Sequence, residues 1–235
     1  MAEYDEISDI LKNAEKGSDI FQYMLGMLYA SGNGVPRDSV ESLKWIRKAA
    51  DQHYVRAQRE LGNRYDDGSG VLKDRAEAAM WYRKAAEQGD AHAQFCLGWK
   101  HATGDGVPKD IVEAIKWYHK SADHGHASAQ FNLGLIYDHG AGVSRNLTEA
   151  AKWYLKAAYQ GVCEAQSSLG WMYATGEGAL KDLVQAHVWW NIAGAKGDED
   201  AKKNLEIVEK KMSDSQKEKA MDMARELFAK LPKGN

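Results

Sequence analysis

Five tryptophans recur in this chain at a constant interval of 36 residues, and this regularity restricts the possible folds more than any other feature. They are Trp45, Trp81, Trp117, Trp153 and Trp189. The same register holds a Leu-Gly pair that begins at Leu25, Leu61, Leu97, Leu133 and Leu169, and a turn glycine at Gly34, Gly70, Gly106, Gly142 and Gly178. A period of about 20–50 residues is typical of solenoids and propellers. We therefore expect one continuous repeat array.

Each repeat contains two stripes of apolar and small residues at helical spacing, separated by a glycine turn. In the third repeat, Ala93 and Leu97 are four residues apart and lie on one face of a first helix, called helix A. After the turn, Ala114, Trp117 and Ser121 form a second stripe, on helix B. The pattern predicts one helical hairpin per repeat, which must stack on its neighbours to bury its apolar faces.

Capping residues and glycines are expected to bound these helices. Every helix B begins with a side-chain acceptor that is followed three residues later by Glu or Gln, at Asp38/Glu41, Asp74/Glu77, Asp110/Glu113, Asn146/Glu149 and Asp182/Gln185. In such a capping box the first side chain accepts from a free helix N–H, and the second reaches back. A left-handed glycine is expected to end each helix A, at Gly32, Gly68, Gly104, Gly140 and Gly176.

The two ends of the chain depart from the repeat, because the end faces of a solenoid need polar cover. We expect an N-terminal capping helix in residues 1–17, repeats at 18–53, 54–89, 90–125, 126–161 and 162–197, and a C-terminal capping helix pair in 198–235. Ser213 with Gln216 predicts a further capping box at the last helix. The expected total is thirteen helices.

Charge and composition disfavour several classes of partner and location. The 235 residues carry a net charge of −3, with acidic and basic residues interspersed, which disfavours a nucleic-acid partner. The sequence has no apolar run of about 18 residues and no apolar signal-peptide core, so we expect no membrane segment. We expect a cytoplasmic protein, or a periplasmic or secreted one if a leader has been removed.

Cys96 and Cys163 fall in different repeats, which predicts two separate thiols.

The motif A-x-x-x-L-G-x-x-Y-x-x-G-x-G-V-x-x-D, followed by A-x-x-W-x-x-K-A-A-x-x-G, resembles the Sel-one-like repeat (SLR), a relative of the tetratricopeptide repeat, over residues 18–197. Departures from the motif are few, at His53 in place of the closing glycine, His101 in place of tyrosine, Asn146 in place of Asp and Ala179 in place of Val. The resemblance implies an all-α, right-handed superhelical solenoid of antiparallel helix pairs that acts as an adaptor for other proteins, in a family common in bacteria.

In the tetratricopeptide relatives helix A lines a concave groove, and the resemblance implies which side chains here would meet a partner. They are Tyr23, Met27, Arg56, Arg59, Asn63, Asp66, His92, Phe95, Trp99, Phe131, Leu135, Asp138 and Trp171. Four aromatic residues in this set are not repeat positions, and aromatics and arginine are favoured anchors of interfaces. The alternative is that these rings pack between adjacent A helices, as large apolar residues usually do.

The sequence contains no constellation typical of catalysis or metal binding. His119, His124 and His126 cluster at a turn without an HExxH or CxxC motif, so we expect a solvated turn. We expect no cofactor, no metal and no enzymatic activity, and predict a scaffold that binds a protein or peptide. An enzyme acting on peptidoglycan or β-lactams, as suggested for some secreted relatives, is the alternative.

The oligomeric state is a separate question. The terminal helices carry Leu227, Phe228 and Leu231, which could support self-association. We nevertheless expect a monomer.

Overall fold

The computed structural model describes residues 2–232, and the described chain forms thirteen α-helices without a strand, which confirms the all-α prediction. The helices are α1 Ala2–Glu15, α2 Asp19–Ser31, α3 Ser39–Asp51, α4 Val55–Asp67, α5 Arg75–Glu87, α6 Ala91–Thr103, α7 Ile111–Asp123, α8 Ala127–His139, α9 Leu147–Tyr159, α10 Cys163–Thr175, α11 Leu183–Ala195, α12 Glu199–Glu209 and α13 Asp214–Lys230. Helices A and B of a repeat pack together in the pairs α2–α3, α4–α5, α8–α9 and α10–α11, and α6 contacts α7 through Gly98 and Tyr118.

The helices form two compact units, Met1–Ser121 and Ala122–Asn235, whose boundary falls within α7. The first unit contains helices A and B of the first two repeats and most of the third. The second contains the last two repeats and the C-terminal helices. Within the described residues, no helix combines the length and the apolar character needed to cross a bilayer.

The repeated tryptophans are buried between neighbouring helices. Trp81 on α5 packs with Leu61 of its own helix A and with Ile46 of the preceding helix B. Trp117 packs in the same way with Leu97 and Tyr82. All five repeated indoles are less than one tenth exposed. Trp81 and Trp117 therefore fill a space that the previous repeat leaves open, which makes the stacking of these repeats part of the core.

The residue after each tryptophan lies directly on the glycine of the Leu-Gly pair. A Cβ placed on Gly62 would be 2.6 Å from the ring of Tyr82, and one on Gly134 would be 2.4 Å from the ring of Tyr154. The corresponding contacts elsewhere are Gly26 with Ile46, Gly98 with Tyr118 and Gly170 with Trp190. Heavy atoms in ordinary contact are about 3.5–4.0 Å apart. The two helices of a repeat therefore approach so closely that no residue larger than glycine fits.

The lysine three residues after each tryptophan covers the outer face of the indole. The lysine Nζ atoms lie 3.9–4.0 Å from the ring centroids in the pairs Lys48–Trp45, Lys84–Trp81, Lys120–Trp117 and Lys156–Trp153. Such a cation–π contact stabilises by about 0.5–1 kcal/mol at an exposed site. In the fifth repeat Ile192 replaces the lysine and is buried, because the C-terminal helices cover this face.

A buried glutamine in each helix A connects it to the preceding helix. Its side-chain amide donates to a carbonyl oxygen eight residues earlier, in the pairs Gln22–Ala14, Gln58–Ala50, Gln94–Ala86, Gln130–Ala122 and Gln166–Ala158, at 2.9–3.2 Å. The last carbonyls of a helix have no partner within that helix. Each of these carbonyls also accepts from the backbone N–H three residues later, as Ala50 does from His53, so the glutamine adds a second hydrogen bond across the junction between repeats.

The caps of the B helices are only partly as predicted. The cap side chain accepts from backbone N–H groups at Asp38, Asp74, Asp110, Asn146 and Asp182. The prediction that the later Glu or Gln reaches back is wrong for these helices. The cap's own N–H already donates to a carbonyl of helix A, as from Asp74 to Tyr65 at 2.9 Å. The complete box occurs at Ser213 and Gln216, where the cap has no such competing acceptor.

The helix A terminators are left-handed as predicted, with φ between 71° and 84° at Gly32, Gly68, Gly104, Gly140 and Gly176. A second left-handed position closes each helix B, at Gly89, Gly125, Gly161 and Gly197. In the first repeat His53 occupies this position with φ 66°. A non-glycine residue in this conformation costs about 1–2 kcal/mol.

We expect His53→Gly to raise the free energy of unfolding by up to about 1 kcal/mol, because glycine removes the left-handed strain but adds freedom to the unfolded chain. Denaturant unfolding measures the change. Gly125→Ala is the matched control, since it has φ 84° and a Cβ there would meet nothing within 4 Å. Gly125→Ala should lower the free energy of unfolding by a similar amount. A destabilised His53→Gly variant would contradict this account.

We expect Gly134→Ala to destabilise the protein by about 1–3 kcal/mol, because the new methyl group collides with the Tyr154 ring. In an unobstructed helix the same change would stabilise by about 1 kcal/mol. A double-mutant cycle with Tyr154→Ala, followed by thermal unfolding, separates the two effects. The penalty should disappear when the ring is absent, and an equal penalty in both backgrounds would show that Tyr154 is not the obstacle.

Candidate functional site

In the first unit, the predicted groove residues lie on helix A faces that the core leaves at least partly uncovered. Met27, Arg56 and Trp99 are exposed. Half-buried positions are Tyr23, Arg59, Asn63, Asp66, His92 and Phe95. The A helices thus present a mixed aromatic and polar surface, and both exposed and packed side chains contribute to it.

Several of these side chains are held by their neighbours. The ring of Tyr23 packs on Tyr54 with centroids 5.4 Å apart. Arg59 forms an ion pair with Asp90 at 2.9 Å. Phe95 packs on Tyr118 with centroids 6.0 Å apart. Phe95 therefore packs on helix B of its own repeat, whereas the indole of Trp99 remains 40% exposed.

A cavity of about 290 Å³ opens beside Trp99. It is lined by Asp66, Phe95, Cys96, Trp99 and Lys100. The side chain of Lys100 is 1% exposed, and its Nζ lies 2.6 Å from a carboxylate oxygen of Asp66 and 3.0 Å from one of Asp105. Burying a charge is costly unless it is paired. The chain therefore provides two carboxylates around this one ammonium group.

The thiol of Cys96 lies in the same cavity and is held in its neutral form. Burial raises its pKa to about 11, and nearby Asp66 also favours the neutral form. Its Sγ atom lies 3.4 Å from Nε2 of His92. The pKa of His92 is lowered, first by burial and then by nearby Arg59, so this pair carries no charge near neutral pH. Such a thiol is a poor nucleophile.

In the second unit the predicted residues are Phe131, Leu135, Asp138 and Trp171. Phe131 is half-buried against Tyr154, with ring centroids 5.8 Å apart, and Leu135 is also half-buried. Trp171 is 42% exposed. The division between packed phenylalanines and open tryptophans is therefore the same in both units.

A second cavity, of about 270 Å³, opens beside Trp171. It is lined by Asp138, Ser167, Ser168, Trp171, Met172 and Asn204. The carboxylate of Asp138 accepts a hydrogen bond from the hydroxyl of Tyr154 at 3.2 Å, and the exposed guanidinium of Arg145 lies 3.8 Å away. Burial, followed by the charge of Asp138, raises the pKa of Tyr154, so this hydroxyl stays a neutral donor.

The two cavities occupy equivalent positions in the repeat register. Asp138 and Trp171 lie two repeats after Asp66 and Trp99, and Met172 stands where the first cavity has Lys100. The Lys100 position was not predicted from the sequence to be functional. It could have been noticed, because the first, fourth and fifth repeats have the apolar residues Leu28, Ile136 and Met172 there, and the second has the buried Arg64.

Among the described residues, no three His, Cys, Asp or Glu side chains are grouped so that they could hold a metal ion. Both cysteines are free thiols, as the sequence predicted.

The sequence model of the Sel1 repeat family matches residues 20–54, 55–90, 91–126, 127–162 and 163–198. The chain belongs to this family, whose repeats generally serve protein–protein interaction, and the resemblance noted from the sequence is confirmed. Comparison with curated proteins gives no significant match.

Two solved structures are similar to this chain. A Sel1 repeat protein from Oxalobacter formigenes is 35% identical, with a TM-score of 0.77, over 96% of this chain and 94% of its own. The other is c5321, a protective antigen present in uropathogenic Escherichia coli strains that displays an SLR fold. It is 33% identical, with a TM-score of 0.83, over 93% of this chain. The present chain covers 48% of the c5321 chain, about half its length.

We expect Cys96 to react slowly with iodoacetamide in the folded protein. Near pH 9, where an ordinary thiol is about half ionised, a pKa of about 11 leaves only about 1% of this thiol ionised. In a Cys163→Ala variant Cys96 is the remaining cysteine, and intact-mass measurements over time give the rate of its alkylation. The rate should rise about tenfold per pH unit between pH 8 and 10. The same variant unfolded in guanidinium should react rapidly, and equal rates in both states would contradict the assigned pKa.

Proposed function

We propose that this chain is a scaffold that binds a protein or peptide partner on the exposed faces of its A helices, with Trp99 and Trp171 as the main anchors. The observation that carries the proposal is the distribution of the eight tryptophans. Six of them are between 1% and 8% exposed, whereas Trp99 and Trp171 are 40% and 42% exposed. Both lie at positions that the resemblance assigns to the binding groove.

The scaffold does not require these two indoles. Equivalent positions hold Met27, Asn63 and Leu135 in the other repeats, and those repeats form the same helix pairs. An indole that stays in water forgoes stabilisation of about 1.5–3 kcal/mol or more that burial of a large apolar side chain provides. Tryptophan is also enriched among the residues that dominate binding energy at interfaces. Partner binding would supply the missing burial.

The remaining predicted residues have supporting positions in this proposal. Arg56 and Met27 are exposed, Phe95 lines the cavity beside Trp99, and Phe131 packs on Tyr154. The helices that carry these residues are braced by the buried core, so little rearrangement would accompany binding, which lowers its cost. We further propose a monomer that acts in the cytoplasm and has no catalytic activity. Covalent acylation by a β-lactam, seen in the intact mass, would contradict the last point.

We expect a Trp99→Ala, Trp171→Ala double variant to lose capture of a specific partner from a native lysate while it keeps its fold. Truncating two exposed indoles should lower stability much less than the loss of about 3–5 kcal/mol typical of one buried tryptophan. Affinity capture with mass spectrometry, together with thermal unfolding, provides the measurement.

The matched control is a Leu72→Ala, Leu180→Ala double variant, because both leucines are 91% exposed on glycine turns away from the A helices. It should capture the same partner as the unmodified protein. Unchanged capture by the tryptophan variant, with a large fall in melting temperature, would assign Trp99 and Trp171 to the core and refute the proposal.

A further inference from the structure

We propose that the cavity beside Trp171 binds a primary ammonium group, the end of a lysine side chain of the partner, between the indole and the carboxylate of Asp138. This inference rests on the proposed function, to which it adds the chemistry of the partner. The evidence for it is a comparison of the cavity beside Trp99, in the first unit, with the equivalent cavity beside Trp171, in the second unit.

The first cavity already contains such a group. There the ammonium of Lys100 lies 2.6 Å from the carboxylate of Asp66, beside the indole of Trp99, and 6.0 Å from the ring centroid of Tyr82. The lysine comes from the chain's own helix and is fully enclosed. Asp66, Asp105 at 3.0 Å and the ring of Tyr82 therefore accommodate an ammonium ion in a cavity that Trp99 also lines.

The second cavity repeats three of these residues, with one carboxylate in its lining and no lysine. Asp138, Tyr154 and Trp171 occupy the positions of Asp66, Tyr82 and Trp99, but Met172 replaces the lysine. The thioether of methionine is at most a weak acceptor and supplies no positive charge. The carboxylate of Asp138 is therefore left with a neutral hydroxyl donor and one exposed arginine.

The arginine is a weak competitor for the site. Its guanidinium lies 3.8 Å from the Asp138 carboxylate with a side-chain exposure of 59%. The Nε of Arg145 donates instead to the backbone carbonyl of Asp138 at 2.8 Å. Exposed ion pairs of this kind contribute little because water and salt screen them. An incoming ammonium ion in the cavity would be closer to the carboxylate and better shielded.

The cavity lining suits an ammonium ion in its other contacts. An ammonium group has three donors and no acceptor. Ser167, Ser168 and Asn204, which each have a side-chain oxygen, also line the cavity, and the hydroxyl of Ser168 donates to the carbonyl of Glu164. The face of an indole attracts a cation, most strongly when water is excluded. Carboxylate, hydroxyl oxygens and indole face together define the site.

The test is a titration of the ¹⁵N-labelled full chain with n-butylammonium, which has the shape and charge of the end of a lysine side chain. The NMR signals of the tryptophan indole Nε1–H groups are measured at each concentration. We expect a saturable shift of the Trp171 signal, identified by its absence in Trp171→Phe. The neutral n-butanol should not produce this shift. The Trp99 signal should not respond either, because the ammonium of Lys100 already pairs with Asp66 in that cavity. No response at Trp171, or an equal response to n-butanol, overturns the proposal.

Exchanging the residue that distinguishes the two cavities sharpens the test. Met172→Lys should place an internal ammonium beside Asp138 and abolish the response at Trp171, whereas Lys100→Met should create a response at Trp99. Asp138→Asn should weaken binding about tenfold or more, and Arg145→Gln should leave it equal or tighter. Melting temperatures confirm that each variant is folded. If Met172→Lys fails to fold, Asp138→Asn decides, and a response that survives in Asp138→Asn overturns the proposal.

Capture of the partner separates this inference from the proposed function. If the Trp99→Ala, Trp171→Ala variant loses its partner but Met172→Lys and Asp138→Asn retain it fully, the scaffold proposal stands and the ammonium site is wrong. If all of these variants retain the partner, the A helices are not the binding surface. Loss of capture in Met172→Lys, together with the n-butylammonium response of the unmodified chain, supports both.

Discussion

The close approach of the two helices in each repeat is the constraint on which the rest of the structure depends. The glycine of each Leu-Gly pair has no Cβ, so a ring or a branched side chain of helix B can lie directly on the backbone of helix A. This contact sets the distance between the helices. At that distance the tryptophan one residue earlier reaches the preceding helix B, and its core position follows. The glutamine bridges then add a hydrogen bond between the stacked helices at buried carbonyl groups.

Because the repeated positions supply all of this packing, the remaining helix A positions are free to vary. Lys100 shows how far that freedom extends, since it replaces an apolar residue at a fully buried site and is compensated by Asp66 and Asp105. A buried ion pair is seldom a net source of stability, and breaking one is costly. The lysine in one repeat and Met172 in another give two cavities at equivalent repeat positions with different electrostatics. The binding properties proposed above arise from that difference.

The sequence predicted the helices and their terminators well, because periodicity, caps and left-handed glycines act within a few residues of one another. It predicted the caps incompletely, because the backbone N–H of Asp74 is used by Tyr65, on the other helix of the repeat, and such a contact leaves no local signal. The glutamine bridges were missed although Gln58 and its equivalents recur at the same interval as the tryptophans. A buried polar residue is recognisable as structural only when its partner is known.

For the candidate site, the sequence alone determined that Trp99 and Trp171 lie on the variable face of helix A, because they interrupt a strict repeat. It did not determine that Phe95 and Phe131 are packed on tyrosines while the two indoles remain open. Only the tertiary structure decided this, since exposure depends on which side chains of the adjacent helices reach the same space. The pairing of Lys100 with Asp66, 34 residues earlier, was decided in the same way, because the electrostatic environment of a buried charge is set by neighbours in space and not by neighbours in sequence.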